Sequence, residues 1–400
     1  MARTSWIPVP DGSDFTLANL PFGVAADRAH VAVGDHAVDL VEAAVVGLID
    51  IDPAAVTGPL NALLARGPGT WRAVRRRVGE LLAADNPALR AHPRRDEIVV
   101  ERASLDLAVP VAVGDYVDGY AGLYHATNAG RIFRPGAEPL HPNWRHLPVM
   151  YHGRTSTIVP SGATIPRPSG QVLTDAGPAL RPTAQLDFEL ELGAVVGVGN
   201  ERGRPIAAAE AGDHVFGYVL VNDWSARDIQ AFESVPLGPF LGKSFATSVS
   251  AWVVTVDALA PHRVAGLAAR QEPPPPDHLR CDPRVPDLRF TVEVDGVRVC
   301  EVGFAEAVYW TPAQQLAHLT SNGAVARPGD LVASGTISGP DHRTQGGSLL
   351  ERTWRGAEPF DLPGGGRRTF LEDGDTVTMR GWAGRGGERV GFGALTGTIA

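Results

Sequence analysis

A β-rich α+β fold in two units is the architecture this sequence predicts, and three observations predict it. Beyond Gly114, short apolar runs of strand length are separated by glycine-bearing turns. Two short helical patterns fit among them, at 226–232 and 312–320, too few for a doubly wound sheet. The chain is also 400 residues long, more than one small core organises.

Taken in order, residues 1–114 form a separate N-terminal unit and 115–400 a larger C-terminal one. The run from Val31 to Leu40 predicts two short strands around a Gly34-Asp35 turn. Helical patterns follow at 54–65 and 70–84, and the second carries Arg72, Arg75, Arg76 and Arg77 as an exposed face. Residues 106–113 predict an extended run that ends the unit. In the second unit, strands are expected at 184–198, 215–222, 251–256, 288–294, 376–380 and 390–392. Gln271-Glu-Pro-Pro-Pro-Pro-Asp277 is stiff and hydrophilic, hence a surface loop. Glu372-Asp-Gly-Asp375 is a turn leading into a strand.

Acidic residues outnumber basic ones, 45 to 36, for a net charge of -9, which argues against a nucleic-acid or anionic-membrane partner. The two cysteines, Cys281 and Cys300, have neither metal-ligand spacing nor a disulfide framework. They fit a reducing compartment, and the N-terminus lacks the apolar core of a signal peptide. No stretch approaches the roughly 18 apolar residues of a membrane span. A cytoplasmic protein is expected.

Leu186-Asp-Phe-Glu-Leu-Glu-Leu192 is the most informative stretch. Its apolar and acidic residues alternate with period two, the pattern of a half-buried strand with Asp187, Glu189 and Glu191 on one face. At about 3.3 Å per residue, Glu189 and Glu191 lie about 6.6 Å apart along the backbone. The residues alone leave two readings open. One is a solvated strand face; the other is a hard cation bridging carboxylates through oxygens at about 2.3–2.6 Å.

Asp223 ends a predicted strand, where side chains open into a cleft. Just beyond it, Ser225 is expected to cap a helix, with Asp228 completing a capping box. Arg227 and Gln230 share a face of that helix, so their donors can converge on a developing oxyanion. Gly238-Pro-Phe-Leu-Gly-Lys-Ser244 has three residues between its glycines where a phosphate loop needs four, and nucleotide binding is rejected. Lys243 is left partly buried between Phe240, Leu241 and Phe245. Asp118 and His125 are seven apart and share a face if the segment is helical. His125 is distinguished by its setting of Tyr120, Asn128, Arg131 and Arg134. Ser334-Gly-Thr-Ile-Ser-Gly339 is a glycine-bounded loop offering Thr336. Glu351, a charge inside an apolar run, implies a buried carboxylate with a partner. There is no Gly-x-Ser-x-Gly elbow for a serine nucleophile. The acids are too many and too clustered for a simple glycosidase pair, although that chemistry stays open on the carboxylates alone.

Five blocks, Tyr124-His-Ala-Thr-Asn128, Tyr151-His-Gly-Arg154, Asn222-Asp-Trp-Ser-Ala-Arg-Asp-Ile-Gln230, Val235-Pro-Leu-Gly-Pro-Phe-Leu-Gly-Lys-Ser-Phe245 and Ala333-Ser-Gly-Thr-Ile-Ser-Gly-Pro340, carry a resemblance. With flanking matches from Asp14 to Gly393, the chain resembles the fumarylacetoacetate hydrolase family nearly end to end. The resemblance implies a small N-terminal SH3-like β-barrel domain, a larger C-terminal mixed β-sandwich roll and a homodimer. It implies that Asp118, Glu189, Glu191 and Asp223 bind a divalent cation, typically Ca2+. Lys243 and Thr247 match a second site, for Mg2+. An ammonium cannot ligate a cation, so Lys243 would contribute there through its backbone oxygen.

His125 matches a general base and Glu351 the carboxylate that orients it. Arg227, Gln230 and Lys243 match the group that stabilises an oxyanion. Tyr120, Arg134, Tyr151, Gln230 and Thr336 match substrate-binding positions. The implied reaction is hydrolysis of a carbon–carbon bond in a β-diketo acid to fumarate and acetoacetate, the last step of tyrosine and phenylalanine breakdown. An acylpyruvate hydrolase or decarboxylase of the same superfamily is the alternative. Two positions depart from the family: Gly119 replaces an aromatic residue, and Ser234 a substrate-contacting tyrosine. Losing the hydroxyl and ring of that tyrosine is expected to widen the pocket.

Overall fold

Runs rich in Val, Leu and Phe assemble into two large sheets in the computed structural model, which describes residues 4–362 and 366–400. The larger sheet has eight strands. Its main path runs Met150–His152, Tyr116–Gly119, Leu331–Ala333, Leu190–Val196, Val215–Asp223, Thr247–Val249 and Ile158–Pro160. Val254–Thr255 pairs beside the start of Val215–Asp223. Leu331–Ala333 lies parallel to Tyr116–Gly119 and Thr247–Val249 parallel to Ile158–Pro160, so the sheet is mixed. The second sheet has five strands, in the order Val297–Gly303, Arg289–Val294, Thr376–Ala383, Val390–Ile399 and Thr164–Ile165.

One face of the larger sheet packs on the smaller. Leu190, Leu192, Leu220 and Trp224 share a core with Phe290, Val377 and Leu395. The opposite face is covered by the N-terminal unit: Val195, Val219 and Val221 share a second core with Val31, Val38, Trp71 and Val78. The Trp71 ring meets Phe216 edge-on at 5.3 Å. This double cover corrects the half-buried strand. Leu190–Val196 is buried throughout, and the face that carries Gly193 and Val195 under the N-terminal unit carries Glu189 and Glu191 just beyond it.

The unit expected to be SH3-like is built on an antiparallel sheet of Phe22–Ala25, Arg28–Val33, His36–Asp39 and Val99–Glu101, paired in sequence order. Helix Pro68–Leu81 lies against it through Trp71, Val74, Val78 and Leu81, an amphipathic spacing. The arginines on this helix are not a free solvated face. Arg75 donates to the carbonyls of Ala18 and Asn19, Arg77 to that of Leu48, and Arg72 pairs with Asp257 at 3.1 Å. The single helix expected at 54–65 is two short turns, Pro53–Val56 and Asn61–Leu64. Gly58, at φ 79°, and Pro59 interrupt it. Residues 106–113 form no strand, only an isolated bridge from Leu107 to Ala25. The strand expected at 184–198 is split into Leu186–Asp187 and Leu190–Val196. Among the described residues no helix is long and apolar enough to cross a membrane.

Candidate active site

Four acids meet where neighbouring strands of the larger sheet end. Asp118 pairs in register with Ala333 and Tyr151, Glu191 with Val221, and Asp223 with Thr247. Asp118, Glu189, Glu191 and Asp223 each place a carboxylate oxygen within 4.8 Å of the others. None is more than 4% exposed, which rules out the solvated-face reading. Asp118 Oδ1 and Glu191 Oε1 have no hydrogen-bond partner among the described residues. Burial pushes the Asp118 carboxyl well up, and Asp223 adds to it. Glu191 rises for the same reason, with Asp118 and Asp223 beside it. Glu189 goes the other way: burial opposes its charge, but Lys243 and Arg227 outweigh burial. Buried, unpartnered carboxylate oxygens converging on one point are costly unless a cation neutralises them, and an all-oxygen set suits a hard divalent ion. The residues fit that group.

Lys243 Nζ donates to Glu189 Oε2 at 2.5 Å and Asp223 Oδ2 at 2.6 Å, which holds the ammonium charged despite its burial. Thr247 donates to Asp223 Oδ1 at 3.3 Å, so both residues expected at the second cation site direct their side chains at Asp223.

The expectation that Asp118 and His125 share a helical face is corrected. Asp118 lies in the strand Tyr116–Gly119, and His125 on the helix Leu123–Phe133 that follows. His125 Nδ1 lies 2.7 Å from Glu351 Oε2. Glu351 also accepts from Asn128 at 3.0 Å, Ser338 at 2.7 Å and Ser348 at 3.0 Å. Burial would raise this carboxyl, but His125 and these donors hold it below the usual glutamate range. With Nδ1 engaged, Nε2 is the free ring nitrogen, 4.0 Å from Glu189 Oε1.

Arg227 is held on three sides. Nε donates to Asp187 Oδ2 at 2.8 Å, and Nη1 pairs with Glu189 Oε1 at 2.7 Å and donates to Gln230 Oε1 at 3.1 Å. Nη2 is buried without a partner among the described residues. The expected capping box is absent: Ala226 occupies the cap position of helix Arg227–Glu233. Ser225 is held in a short strand pairing with Asp187, and its hydroxyl donates to the Asp223 carbonyl at 2.9 Å. Asp228 instead accepts from Thr183 Oγ1 and from the Ala184 N–H.

Asp118, His125, Glu189, Arg227, Gln230 and Lys243 line a cavity of about 720 Å³ together with Tyr120, Arg134, His141, Tyr151 and Thr336. The Tyr120 ring stands edge-on to His125 at 5.5 Å, and Tyr151 donates to Asp223 Oδ2 at 3.0 Å. Thr336 Oγ1 is buried without a partner among the described residues. Gly119 lines the cavity. A Cβ there would lie 2.1 Å from Gln315 Nε2, so buried Gln315 fills the direction a ring would take. Ser234 turns its hydroxyl onto the Gln230 carbonyl and lies beside the exposed rim of Val235 and Leu237.

Arg134 donates to the Pro139 carbonyl at 2.5 Å, and a Cβ on Gly130 would lie 1.9 Å from that oxygen. Gly130→Ala is therefore expected to displace the Arg134 anchor and raise KM by about tenfold, the worth of one charge-assisted hydrogen bond, with kcat little changed. An unaltered KM in steady-state assays would refute that role.

Sequence reasoning missed Gln315, Ser338 and Ser348, and gave Asp187 no part. Ser348-x-x-Glu351 has the spacing of a capping box and was legible. Ser338 reaches Glu351 only through loop folding, which no periodicity marks.

A family model described as Fumarylacetoacetate (FAA) hydrolase C-terminal matches residues 116–400, and one described as Fumarylacetoacetase N-terminal matches residues 18–110. A relative named Fumarylacetoacetase from Arabidopsis thaliana is 44% identical, with 99% of this chain and 98% of that protein covered. The Homo sapiens protein of the same name is 42% identical over the same shares. Among solved structures, Fumarylacetoacetate hydrolase (EaFAH) from Exiguobacterium antarcticum aligns over 95% of this chain and 98% of its own. Its TM-score is 0.56 at 18% identity, a likeness of fold. With both models matched in order and relatives above 40% identity along 99% of its length, this chain belongs to the fumarylacetoacetate hydrolase family.

Proposed function

We propose that this chain hydrolyses the carbon–carbon bond of 4-fumarylacetoacetate, giving fumarate and acetoacetate in tyrosine and phenylalanine catabolism. The observation that carries the reading is His125, backed by Glu351, beside the four-carboxylate cluster, with His125, Asp118 and Glu189 lining one cavity. The full-length relatives supply the substrate.

Water entering between His125 and the substrate carbonyl gives its proton to Nε2 while Glu351 holds the proton on Nδ1. The oxyanion that forms is met by Arg227 Nη2, the one donor of that guanidinium left unpartnered, together with the Gln230 amide and the remaining N–H of Lys243. Collapse of the tetrahedral adduct restores the carbonyl as a carboxylic acid and sends the bonding pair into the acetoacetate enolate. The proton taken by His125 then returns to that carbon. A divalent cation held by Asp118, Glu189, Glu191 and Asp223 supplies Lewis-acid stabilisation of enolate charge when bound. Arg134, Tyr151, Tyr120, Gln230 and Thr336 orient the diketo acid, the planar fork of Arg134 suiting a carboxylate.

The proposal includes Ca2+ at the four acids and Mg2+ near Thr247 and the Lys243 backbone oxygen. It divides the chain into a supporting unit, 1–114, and a catalytic unit, 115–400, within a cytoplasmic homodimer. Incubation with 4-fumarylacetoacetate is expected to yield equimolar fumarate and acetoacetate, and a chelator to stop it. Release of pyruvate from acylpyruvates, without fumarate from 4-fumarylacetoacetate, would overturn the substrate assignment.

A further inference from the structure

Asp187 shares its strand face with the metal-facing acids, yet its carboxylate is turned elsewhere. It is fully buried and accepts four hydrogen bonds. Oδ2 takes Arg227 Nε at 2.8 Å and the Leu350 N–H at 2.9 Å; Oδ1 takes the Leu349 N–H at 2.6 Å and the Phe188 N–H at 2.8 Å. Leu349 and Leu350 open the helical turn Leu349–Arg352 that carries Glu351. One carboxylate thus joins the guanidinium that faces the cavity to the backbone that carries the carboxylate behind His125.

The guanidinium is planar and its five N–H groups are fixed relative to one another. With Nε on Asp187 and Nη1 on Glu189 and Gln230, a single orientation remains, and it leaves Nη2 unpartnered. A neutral residue at 187 would release Nε and let the plane rotate about its last side-chain bond. The same change would remove the acceptor that holds the start of the Glu351 turn. Asp187 and Glu189 sit two apart in the chain, on either side of the break between the strands Leu186–Asp187 and Leu190–Val196, so this segment holds the arginine at two points.

We propose that Asp187 is a positioning residue that sets the orientation of Arg227 and ties it to the turn bearing Glu351. The inference rests on the roles of Arg227 and Glu351 given above, and a double-mutant cycle separates the two levels. Asp187→Asn is expected to lower kcat by about tenfold or more, with KM within about threefold of wild type. In an Arg227→Gln background the same change is expected to lower kcat by less than about threefold, because its main route of action is gone. An equal loss in both backgrounds, or none in either, would overturn the proposal. If Arg227→Gln itself left kcat unchanged, the oxyanion reading would fall instead, and the Asp187 proposal with it. Melting temperatures accompany each measurement. If Asp187→Asn does not fold, Asp187→Glu is taken through the same cycle, since it keeps the charge and moves the carboxylate by one methylene. Failure of both variants to fold would make Asp187 a residue of the fold alone and sink the inference.

Discussion

His125→Ala is expected to lower kcat by about a thousandfold, within the range that a positioned general base contributes. KM should move little, since no substrate anchor is assigned to the imidazole. Glu351 keeps Asn128, Ser338 and Ser348 as donors, so the variant should fold, and its melting temperature checks this. Calcium stoichiometry by calorimetry should be unchanged, because the four acids are untouched. Near wild-type turnover by this variant would show that water is activated elsewhere. Loss of calcium binding would show that the imidazole serves the cation site.

The second large effect concerns the buried acids. Saturating calcium is expected to raise the melting temperature, corresponding to about 2.7 kcal/mol at a hundredfold excess over Kd. Glu191→Gln should abolish most of that gain. Without calcium it should melt no lower than wild type, because the neutral amide replaces a carboxyl that burial and the neighbouring acids already hold toward its neutral form. The gain should also depend on pH. Asp118 and Glu191 have carboxyls raised by burial and by neighbouring acids, so the folded protein holds protons that the unfolded chain has released. Their contribution to stability is complete below the ordinary carboxylate range and is lost as pH rises through the raised values. The metal-free protein should weaken along that climb while calcium, replacing the protons, offsets it. Scanning calorimetry at about pH 5 and about pH 8 checks the sign: a calcium shift that shrinks on going to the higher pH would refute the cluster as the binding site.

Much of the site was legible in the residues. Period-two alternation at 186–192 pointed three carboxylates to one face, and Glu351 stood out as a charge in an apolar run. The resemblance assigned roles to Glu189, Glu191 and Glu351 but not their contacts, and gave Asp187 no matched function. Asp187 was indistinguishable by pattern from Glu189, since strand parity records which face a side chain takes and not what waits there. The strand breaks at Phe188–Glu189 and pairs with Ser225–Ala226 at one end and Val215–Asp223 at the other. That break turns one acid toward Arg227 and leaves the next two with the cation cluster.

The sequence by itself determined the class of fold, the strands and helices with strong periodicity, and the residue types able to hold a cation and move a proton. These follow from local spacing and side-chain chemistry, which are properties of contiguous residues. Only the tertiary structure decided that the acidic strand face is buried, because Trp71 and Val78 share a core with Val195 beside it and Arg227 and Lys243 close on Glu189. It also decided that Gln315 fills the space beside Gly119, and that Asp187 meets both Arg227 and the Glu351 turn. Such contacts join segments that no local pattern relates, and they exist only once the sheets have packed.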